Sequence, residues 1–306
     1  MKDKLQSIID QNRKWTNCGQ VASYIPELAK ADPNILGIAI NDINDKAVQA
    51  GDYNYYFTIQ SIVKVIILIC LLIDGGEDKI FDKVGMEPSS EPFNSIPKLE
   101  RTESGKPLNP FINAGAIACT DAVLGKNCKE KYERIVAMLK KLSNNQNLKI
   151  NDAVYKSEKL TGQTNRAIAH YLKGAGLIDN SVEDVLDVYF KLCSVEMVVK
   201  DIAKIASVIA NGGIAPWSQE KIIPTNANKI IKAIMTTCGL YDSSGCFAVR
   251  VGMPSKSGVG GGIVSVAPNK MGIAVVGPSL DHHGNSIAGV KVLEELSKSE
   301  RLSIFL

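Results

Sequence analysis

The sequence predicts an α+β protein in which an antiparallel sheet, made from both ends of the chain, is flanked by N- and C-terminal helices. Three observations support this fold class. Short β-like runs occur near both ends of the 306-residue chain, amphipathic helical segments lie outside them, and helical spacing of apolar residues dominates the middle. We therefore expect an all-helical lobe inserted between the two parts of the sheet.

The length is compatible with one large core or with two lobes that share a cleft. We predict a single domain over residues 1–306 with two subdomains. Residues 1–77 and 205–306 form the sheet with its flanking helices, and residues 78–204 form the mostly helical lobe. An apolar content of 45% with 22% charged residues is ordinary for a globular protein.

Helices and a hairpin are expected at the N-terminal end. Charged and apolar residues occur at helical spacing from Lys4 to about Lys30. Two β-like runs follow, Ile35–Ile40 and Lys46–Ala50, and the polar turn residues between them predict a β-hairpin. The apolar segment Val65–Ile73 falls far short of the ~20 residues that span a bilayer, so it predicts a buried helix and no membrane association.

The middle of the chain is expected to be irregular at first and then helical. Five prolines within Phe81–Pro110 indicate an irregular segment that runs over the surface. Tyr132–Leu142 and Val185–Leu192 have helical periodicity. No convincing strand occurs between Ile112 and Asn211, so this region predicts the helical lobe.

Strand signals return near the C-terminus, in Phe247–Val251, Gly262–Ala267 and Met271–Val276. A three-residue turn joins the last two runs and predicts a second hairpin. Ser286–Ser299 is amphipathic and predicts a final helix that packs on the sheet.

Charge, histidines and cysteines limit the partners and cofactors. A net charge of +3 from 35 basic and 32 acidic residues gives no concentrated positive surface, so we expect no nucleic-acid partner. The three histidines lack partners at ligand spacing and no phosphate-binding loop is present, so neither a metal nor another cofactor is expected. Seven scattered cysteines and an N-terminal segment without a signal-like apolar run favour a cytoplasmic location.

The strongest candidate for chemistry is a serine that precedes a lysine by three residues. The pattern Ser-x-x-Lys occurs three times, at Ser61–Lys64, Ser95–Lys98 and Ser218–Lys221. Only Ser61 opens a predicted helix, where the spacing places its side chain and that of Lys64 on one face. A helix N-cap would explain the serine but not a lysine inside an apolar helix. Burial lowers the pKa of a lysine, so we interpret Ser61 as a nucleophile and Lys64 as its base.

A glycine-rich segment, Lys256–Gly262, comes directly before a β-like run. Its glycines would let a substrate approach the strand backbone, and its first three residues resemble the Lys-Thr-Gly element of penicillin-recognising serine hydrolases. The Ser-Asp-Asn or Tyr-x-Asn element of those enzymes has no clear counterpart here. Tyr189 and Tyr241 are candidates to replace it, because a phenol can donate a proton to a leaving amine.

These segments resemble the serine-dependent glutaminases, a family with a β-lactamase-like fold. The similarity runs nearly end to end. Matching stretches include Gln60–Val65 and Leu108–Ala116, and the most specific are Thr237–Asp242, Arg250–Gly252 and Lys256–Gly262. The family usually has serine at the position of Val63, and often glycine at that of Ser90 and arginine at that of Thr164. None of these departures removes a reacting group.

The resemblance implies a reaction and a set of site residues. Ser61 would attack the side-chain amide of L-glutamine after Lys64 removes its proton, which gives a γ-glutamyl ester and releases ammonia. The backbone N–H groups of Ser61 and Val259 would hold the oxyanion, and Tyr241 would pass a proton to the ammonia. The other substrate-binding residues would be Tyr24, Asn113, Glu158, Asn165 and Tyr189. Glu158 would bind the substrate ammonium, and the protein would form a homo-dimer or homo-tetramer.

Two other functions remain open at this point. A penicillin-recognising acylase or β-lactamase would share the Ser-x-x-Lys and Lys-Ser-Gly elements, but such enzymes work outside the cytoplasm. An amino-acid-binding sensor would keep the pocket without turnover. The intact pair of Ser61 and Lys64 argues against the sensor.

Overall fold

A computed structural model describes residues 1–89, Asn94 and 105–306 of the chain. In these residues the protein is an α+β structure, so the predicted fold class is confirmed. The helices are α1 (Lys2–Asn12), α2 (Val63–Phe81), α3 (Asn113–Ala122), α4 (Cys128–Ser143), α5 (Asp152–Thr161), α6 (Gln163–Gly174), α7 (Val182–Cys193), α8 (Val199–Ala210), α9 (Thr225–Cys238), α10 (Ser244–Arg250) and α11 (Ile287–Glu300). The strands are β1 (Gly37–Asp42), β2 (Ala47–Gly51), β3 (Phe57–Thr58), β4 (Lys149–Ile150), β5 (Val195–Met197), β6 (Ser255–Ser257), β7 (Gly262–Ala267) and β8 (Met271–Val276).

The main sheet has the strand order β2-β1-β8-β7-β6, and every neighbouring pair is antiparallel. Both predicted hairpins are present, one formed by β1 and β2 and the other by β7 and β8. Ala39 in β1 pairs with Ala274 in β8, so the two hairpins lie side by side. The sheet is made from both ends of the chain, as predicted.

Alternate residues of the sheet face two different apolar cores, as the period of a β-strand requires. Ile38 and Ile40 belong to the core that contains side chains of α1 and α11, whereas Ala39 belongs to the core of the helical lobe. On that second face α8 lies directly against β8. A methyl group at Gly272 would be 2.1 Å from the backbone nitrogen of Ser207, so only glycine fits where the helix backbone contacts the strand.

A second, small sheet has the order β3-β5-β4. The prediction of no strand between Ile112 and Asn211 is therefore wrong, because β4 and β5 lie within this region. With two and three residues, they are too short to produce a recognisable alternation. Phe57 pairs with Met197, and the Ile59 amide donates to the carbonyl oxygen of Val195. These bonds fix the chain directly before Ser61.

The strand predicted at Phe247–Val251 is also wrong, since α10 covers most of it. Phe247 and Val251 are four residues apart and both are buried, whereas Val249 is 89% exposed. This is the spacing of a helix face. The aromatic and β-branched residues favoured a strand locally, and packing of the helix face overrode that preference.

The N-terminal helical prediction holds in part. α1 ends at Asn12, and two short 3₁₀-helices, Arg13–Cys18 and Leu28–Lys30, follow within the segment predicted as helical. By contrast, α4, α7 and α11 lie where helices are predicted. The Ser286 side chain caps α11 by accepting a hydrogen bond from the Gly289 amide.

Part of the predicted irregular segment, including the pattern Ser95–Lys98 and the position Ser90, lies outside the described residues. None of the helices in the described part of the chain is long and apolar enough to cross a membrane. The division into subdomains stays a prediction. α8 extends across its second boundary, at residue 205, and packs on the sheet.

Candidate active site

Ser61 lies in a short turn between the small sheet and α2. The turn is a 3₁₀-helix, Gln60–Ile62, and α2 begins directly after it. Gln60 has a φ of +48°, in the left-handed region that residues other than glycine and asparagine seldom adopt. Ser61 is buried, with 9% of its surface exposed. Strained backbone beside a buried hydroxyl is typical of functional sites.

The glycine-rich segment packs against this turn. A methyl group at Gly258 would lie 2.6 Å from the carbonyl oxygen of Ile59 and 3.4 Å from the amide nitrogen of Ser61. At Gly260 it would lie 2.3 Å from the carbonyl oxygen of Thr58. The glycines are therefore needed for close contact between two backbone segments, and they bring the loop that contains Val259 beside Ser61.

The backbone of Val259 can serve as a hydrogen-bond donor. Its side chain is buried in a small apolar cluster with Ile25, Leu28 and Leu280. Its N–H group has no acceptor among the described residues. A free N–H group in a loop held beside a serine can donate a hydrogen bond to a substrate oxygen that develops negative charge.

Lys64 is almost completely buried, with 1% of its surface exposed. Its amine donates to the carbonyl oxygen of Phe111 at 2.9 Å and to Asn113 Oδ1 at 2.8 Å. Burial lowers the pKa of Lys64 to about 7, and electrostatic interactions with Cys193 and Glu158 oppose this shift. A neutral amine that makes two donations keeps one lone pair, which can take a proton.

In this structure the described hydrogen bonds of Lys64 do not include one to Ser61. The two residues are one turn apart, at positions i and i+3, which bring side chains to the same face. Hydrogen bonds between catalytic groups often shorten only when substrate binds. The geometry is therefore compatible with proton transfer from Ser61 to Lys64.

Tyr241 brings a phenol into contact with Ser61. Its hydroxyl is hydrogen-bonded to the Ser61 side chain, and it donates to the carbonyl oxygen of Ser257 at 3.4 Å. Tyr241 has a φ of +56° and is the second strained residue at this site. Burial raises the pKa of Tyr241 to about 12, while its two hydrogen bonds oppose the shift. The phenol keeps its proton near neutral pH and can act as a donor.

Asn113 connects several of the polar groups. At the start of α3, its Oδ1 atom accepts from Lys64 and, at 3.4 Å, from the Tyr189 hydroxyl. Its amide nitrogen donates to Asn165 Oδ1 at 3.0 Å. Tyr189 is also hydrogen-bonded to Cys193, one turn later in α7. Side chains from three helices of the lobe are thus held in one network with the lysine.

Glu158 is a buried carboxylate, 5% exposed, on α5. Gln60 Nε2 donates to its Oε1 atom at 2.8 Å. Burial raises the pKa of Glu158 to about 8, and the hydrogen bond from Gln60 and the charge of Lys64 oppose the shift. Among the described residues Glu158 has no salt-bridge partner within 4.0 Å. A bound cation would stabilise its ionised form.

These groups line one pocket. Six of the residues predicted to bind substrate surround it: Tyr24, Ser61, Asn113, Glu158, Asn165 and Tyr189. Tyr24 is 55% exposed overall, yet burial raises the pKa of its phenol, with further contributions from Tyr241 and Glu158. Its hydroxyl end therefore faces into the protein. Lys64, Tyr241 and Val259 do not line the pocket themselves, but each lies next to a residue that does, namely Asn113, Ser61 and Ile25 respectively.

Three further groups at this site are not among the site residues predicted from the sequence. Gln60 bonds to Glu158, the Cys193 thiol lines the pocket, and the buried Lys256 amine lies 4.3 Å from the centre of the Tyr241 ring. The spacing of Gln60 and Cys193 from other polar residues in the sequence matches no recognisable motif. Lys256 did carry a signal, because it begins the glycine-rich segment, but its partner Tyr241 is distant in sequence.

The third Ser-x-x-Lys pattern lies on the surface. Ser218 is exposed, and Lys221 donates to the carbonyl oxygen of Gly212 and to Thr225. Neither side chain lines the pocket. Within residues 1–89, Asn94 and 105–306, no group of three or more His, Cys, Asp or Glu side chains is placed to hold a metal ion.

Comparison with known proteins gives consistent matches along the chain. The family model described as Glutaminase matches residues 19–305. The chain is 55% identical over 305 residues to a glutaminase of Clostridium tetani (strain Massachusetts / E88) and 53% identical to one of Clostridium botulinum (strain Kyoto / Type A2), with both sequences fully covered in each case.

The fold is similar to that of a solved Bacillus subtilis glutaminase, with a TM-score of 0.91, 36% identity and 99% of each chain covered. That structure is a covalent complex with 5-oxo-L-norleucine, formed by reaction with 6-diazo-5-oxo-L-norleucine. The family match covers more than nine-tenths of the chain, and the relatives align end to end. The chain therefore belongs to the glutaminase family, whose members are hydrolases that act on an amide C–N bond.

Proposed function

We propose that this protein hydrolyses L-glutamine to L-glutamate and ammonia, with Ser61 as the nucleophile and Lys64 as its base. The observation that carries the proposal is the position of Ser61 in a pocket between a buried lysine with a lowered pKa and the buried carboxylate Glu158. The family membership supports the substrate. The analogue bound covalently to the Bacillus subtilis relative supports a covalent route.

In the first step, Ser61 Oγ attacks the side-chain carbonyl carbon of glutamine while its proton moves to the neutral Lys64 amine. The backbone N–H groups of Ser61 and Val259 stabilise the oxyanion that forms. The carbon–nitrogen bond then breaks, and the leaving nitrogen takes a proton from Tyr241. The proton held by Lys64 restores the phenol, which leaves a neutral lysine and a γ-glutamyl ester on Ser61.

In the second step water attacks the ester. Lys64 takes a proton from the water, the ester bond to Ser61 breaks, and the proton returns to the serine oxygen as glutamate forms. The same base thus serves both halves of the reaction. No metal or other cofactor is part of this proposal, since the amide carbonyl is activated by backbone donors.

The charges of the pocket match a free amino acid. Glu158 binds the substrate ammonium, whose charge compensates the carboxylate that burial otherwise disfavours, as the raised pKa of Glu158 indicates. Asn113, Asn165, Tyr24 and Tyr189 supply neutral donors for the substrate carboxylate and acceptors for its ammonium. With these two charged groups bound, the length of the substrate side chain decides whether its amide reaches Ser61.

The proposal is tested by measuring ammonia release by the purified protein from L-glutamine, with L-asparagine in parallel. A chromogenic β-lactam is assayed at the same time. We expect turnover of glutamine to exceed both. Faster hydrolysis of the β-lactam would favour a penicillin-recognising enzyme, and tight glutamine binding without ammonia release would favour a sensor.

Replacing Glu158 with glutamine should raise KM for L-glutamine by about 10- to 100-fold, because a charged hydrogen bond in a buried site contributes about 1.5–3 kcal/mol. The effect on kcat should be smaller. The control is Glu183→Gln, since Glu183 forms an exposed ion pair with Arg166. Steady-state kinetics of both variants check this prediction, and an unchanged KM in Glu158→Gln would show that the carboxylate does not bind the ammonium.

The pH dependence of kcat/KM follows from two groups that must both be deprotonated for the reaction. Glu158, with a pKa of about 8, must be ionised to bind the ammonium, and Lys64, with a pKa of about 7, must be neutral to accept a proton. We expect kcat/KM to fall as the pH drops below about 8, with a slope that approaches two below pH 7. A profile that is flat between pH 6 and 9 would contradict these roles.

We also propose a cytoplasmic location and self-association into a homo-dimer or homo-tetramer. The cysteines support the first part, because all seven are free thiols, which suits a reducing compartment. Light scattering of the purified protein measures its assembly state.

A further inference from the structure

The site contains a second buried lysine that the proposed mechanism does not use. Lys256 in β6 has no exposed surface. Its amine donates to the carbonyl oxygen of Gly239 at 3.0 Å and to that of Ser257 at 2.6 Å. It forms no ion pair in the part of the chain that the structure describes. A lysine buried without a carboxylate is unfavourable for stability alone, so its position requires another reason.

The two acceptors of Lys256 lie on either side of Tyr241. Gly239 comes two residues before the tyrosine and also accepts a hydrogen bond from the Ser257 amide at 3.2 Å. The Ser257 carbonyl oxygen accepts from both Lys256 and the Tyr241 hydroxyl. Lys256 thus fixes the start of the turn that contains Tyr241 and the carbonyl group to which its hydroxyl donates.

The lysine also packs against the tyrosine ring. The amine lies 4.3 Å from the centre of the Tyr241 ring and 6.0 Å from that of Phe111. Tyr241 has a positive φ, a conformation that surrounding contacts must maintain. The two hydrogen bonds can be donated by a neutral or a protonated amine, so this support does not depend on the charge of Lys256.

We propose that Lys256 is a positioning residue for the departure of ammonia, because it holds the Tyr241 hydroxyl against Ser61 in the direction needed to protonate the leaving nitrogen. The inference rests on the proposed function. In this step the proton moves from the phenol oxygen to nitrogen as the carbon–nitrogen bond breaks. The phenolate then regains the proton that Lys64 took from Ser61.

The test compares two substrates that differ in their need for this proton. An amine must be protonated to leave, whereas the thiolate of an L-glutamate γ-thioester leaves without a proton. In Lys256→Met, kcat/KM for L-glutamine should fall by about 10- to 100-fold, whereas kcat/KM for the thioester should change by less than about threefold. The control is Lys232→Met on α9, a half-buried lysine away from the pocket, which should change neither value.

A double-mutant cycle with Tyr241→Phe provides the second measurement. If Lys256 acts through Tyr241, Lys256→Met should lower the rate with glutamine by less than about threefold in the Tyr241→Phe background. Should Lys256→Met fail to fold, as judged by thermal unfolding, Lys256→Gln replaces it in both experiments.

The outcomes separate this inference from the proposed function. An equal loss with both substrates, or additive losses in the cycle, would overturn the positioning role and leave Ser61 as the nucleophile. Ammonia release by Ser61→Ala at the rate of the unmodified protein would instead overturn the proposed function.

Discussion

Replacing Ser61 with alanine should lower ammonia release from L-glutamine by at least about 10⁴-fold, because removal of a nucleophile leaves only binding and oxyanion stabilisation. The pocket itself should persist. Ser61 donates no hydrogen bond on which the fold depends, and the turn around it is held by backbone contacts of Ile59 and Gly258. Glutamine binding should therefore remain measurable by calorimetry.

The matched control is Ser218→Ala. Ser218 begins another Ser-x-x-Lys pattern of the same chain but lies exposed on the surface, away from the pocket. The Ser218→Ala variant should retain full activity with L-glutamine. Equal ammonia release by Ser61→Ala and the unmodified protein would show that the nucleophile is wrongly assigned.

Replacing Lys64 with methionine should lower turnover by about 10³-fold or more while glutamine binding largely persists. The lysine takes the serine proton, and a positioned base typically contributes about 10²- to 10⁴-fold. It contacts Phe111 and Asn113 in the protein and does not line the pocket, so its main effect should be on kcat. Lys221→Met, in the surface pattern, is the control.

The role of Lys64 is tested by comparing the effect of Lys64→Met on glutamine binding with its effect on turnover. Calorimetry gives the dissociation constant of glutamine for Lys64→Met, and ammonia release gives kcat. A loss of binding in parallel with turnover would indicate that Lys64 organises the pocket through Asn113, and the role of base would then lose its support.

The sequence predicts the parts of the fold whose patterns are long enough to read. β7 and β8 have the bounds predicted for them, and the amphipathic C-terminal segment matches α11 within one residue at each end. β4 and β5 have two and three residues, so they form through pairing with β3 and leave no local signal. The segment Phe247–Val251 predicts a strand because phenylalanine and valine favour strands, although the spacing of its two end residues also fits a helix face.

For the site, the sequence predicts residues that stand out chemically. Lys64 is conspicuous because it interrupts an apolar run, and the glycines at 258, 260 and 262 are conspicuous because they cluster. In the structure Gly258 and Gly260 allow close contact with the backbone of the Ser61 turn, whereas Gly262 packs against the side chains of Phe57 and Ile62.

Contacts between distant segments could not be predicted in the same way. The bonds from Gln60 to Glu158 and from Lys256 to the two carbonyl groups around Tyr241 join residues from separate elements. Nor does the residue type of Gln60 or Tyr241 indicate a positive φ, since neither favours it. Tertiary packing imposes both conformations.

The most direct test of the central claim is to locate the covalent bond. The protein is incubated with 6-diazo-5-oxo-L-norleucine, digested and mapped by mass spectrometry. We expect one 5-oxo-L-norleucine adduct on the peptide that contains Ser61, and no adduct in Ser61→Ala. An adduct on another residue of the pocket, such as Cys193, that persists in Ser61→Ala would contradict Ser61 as the nucleophile.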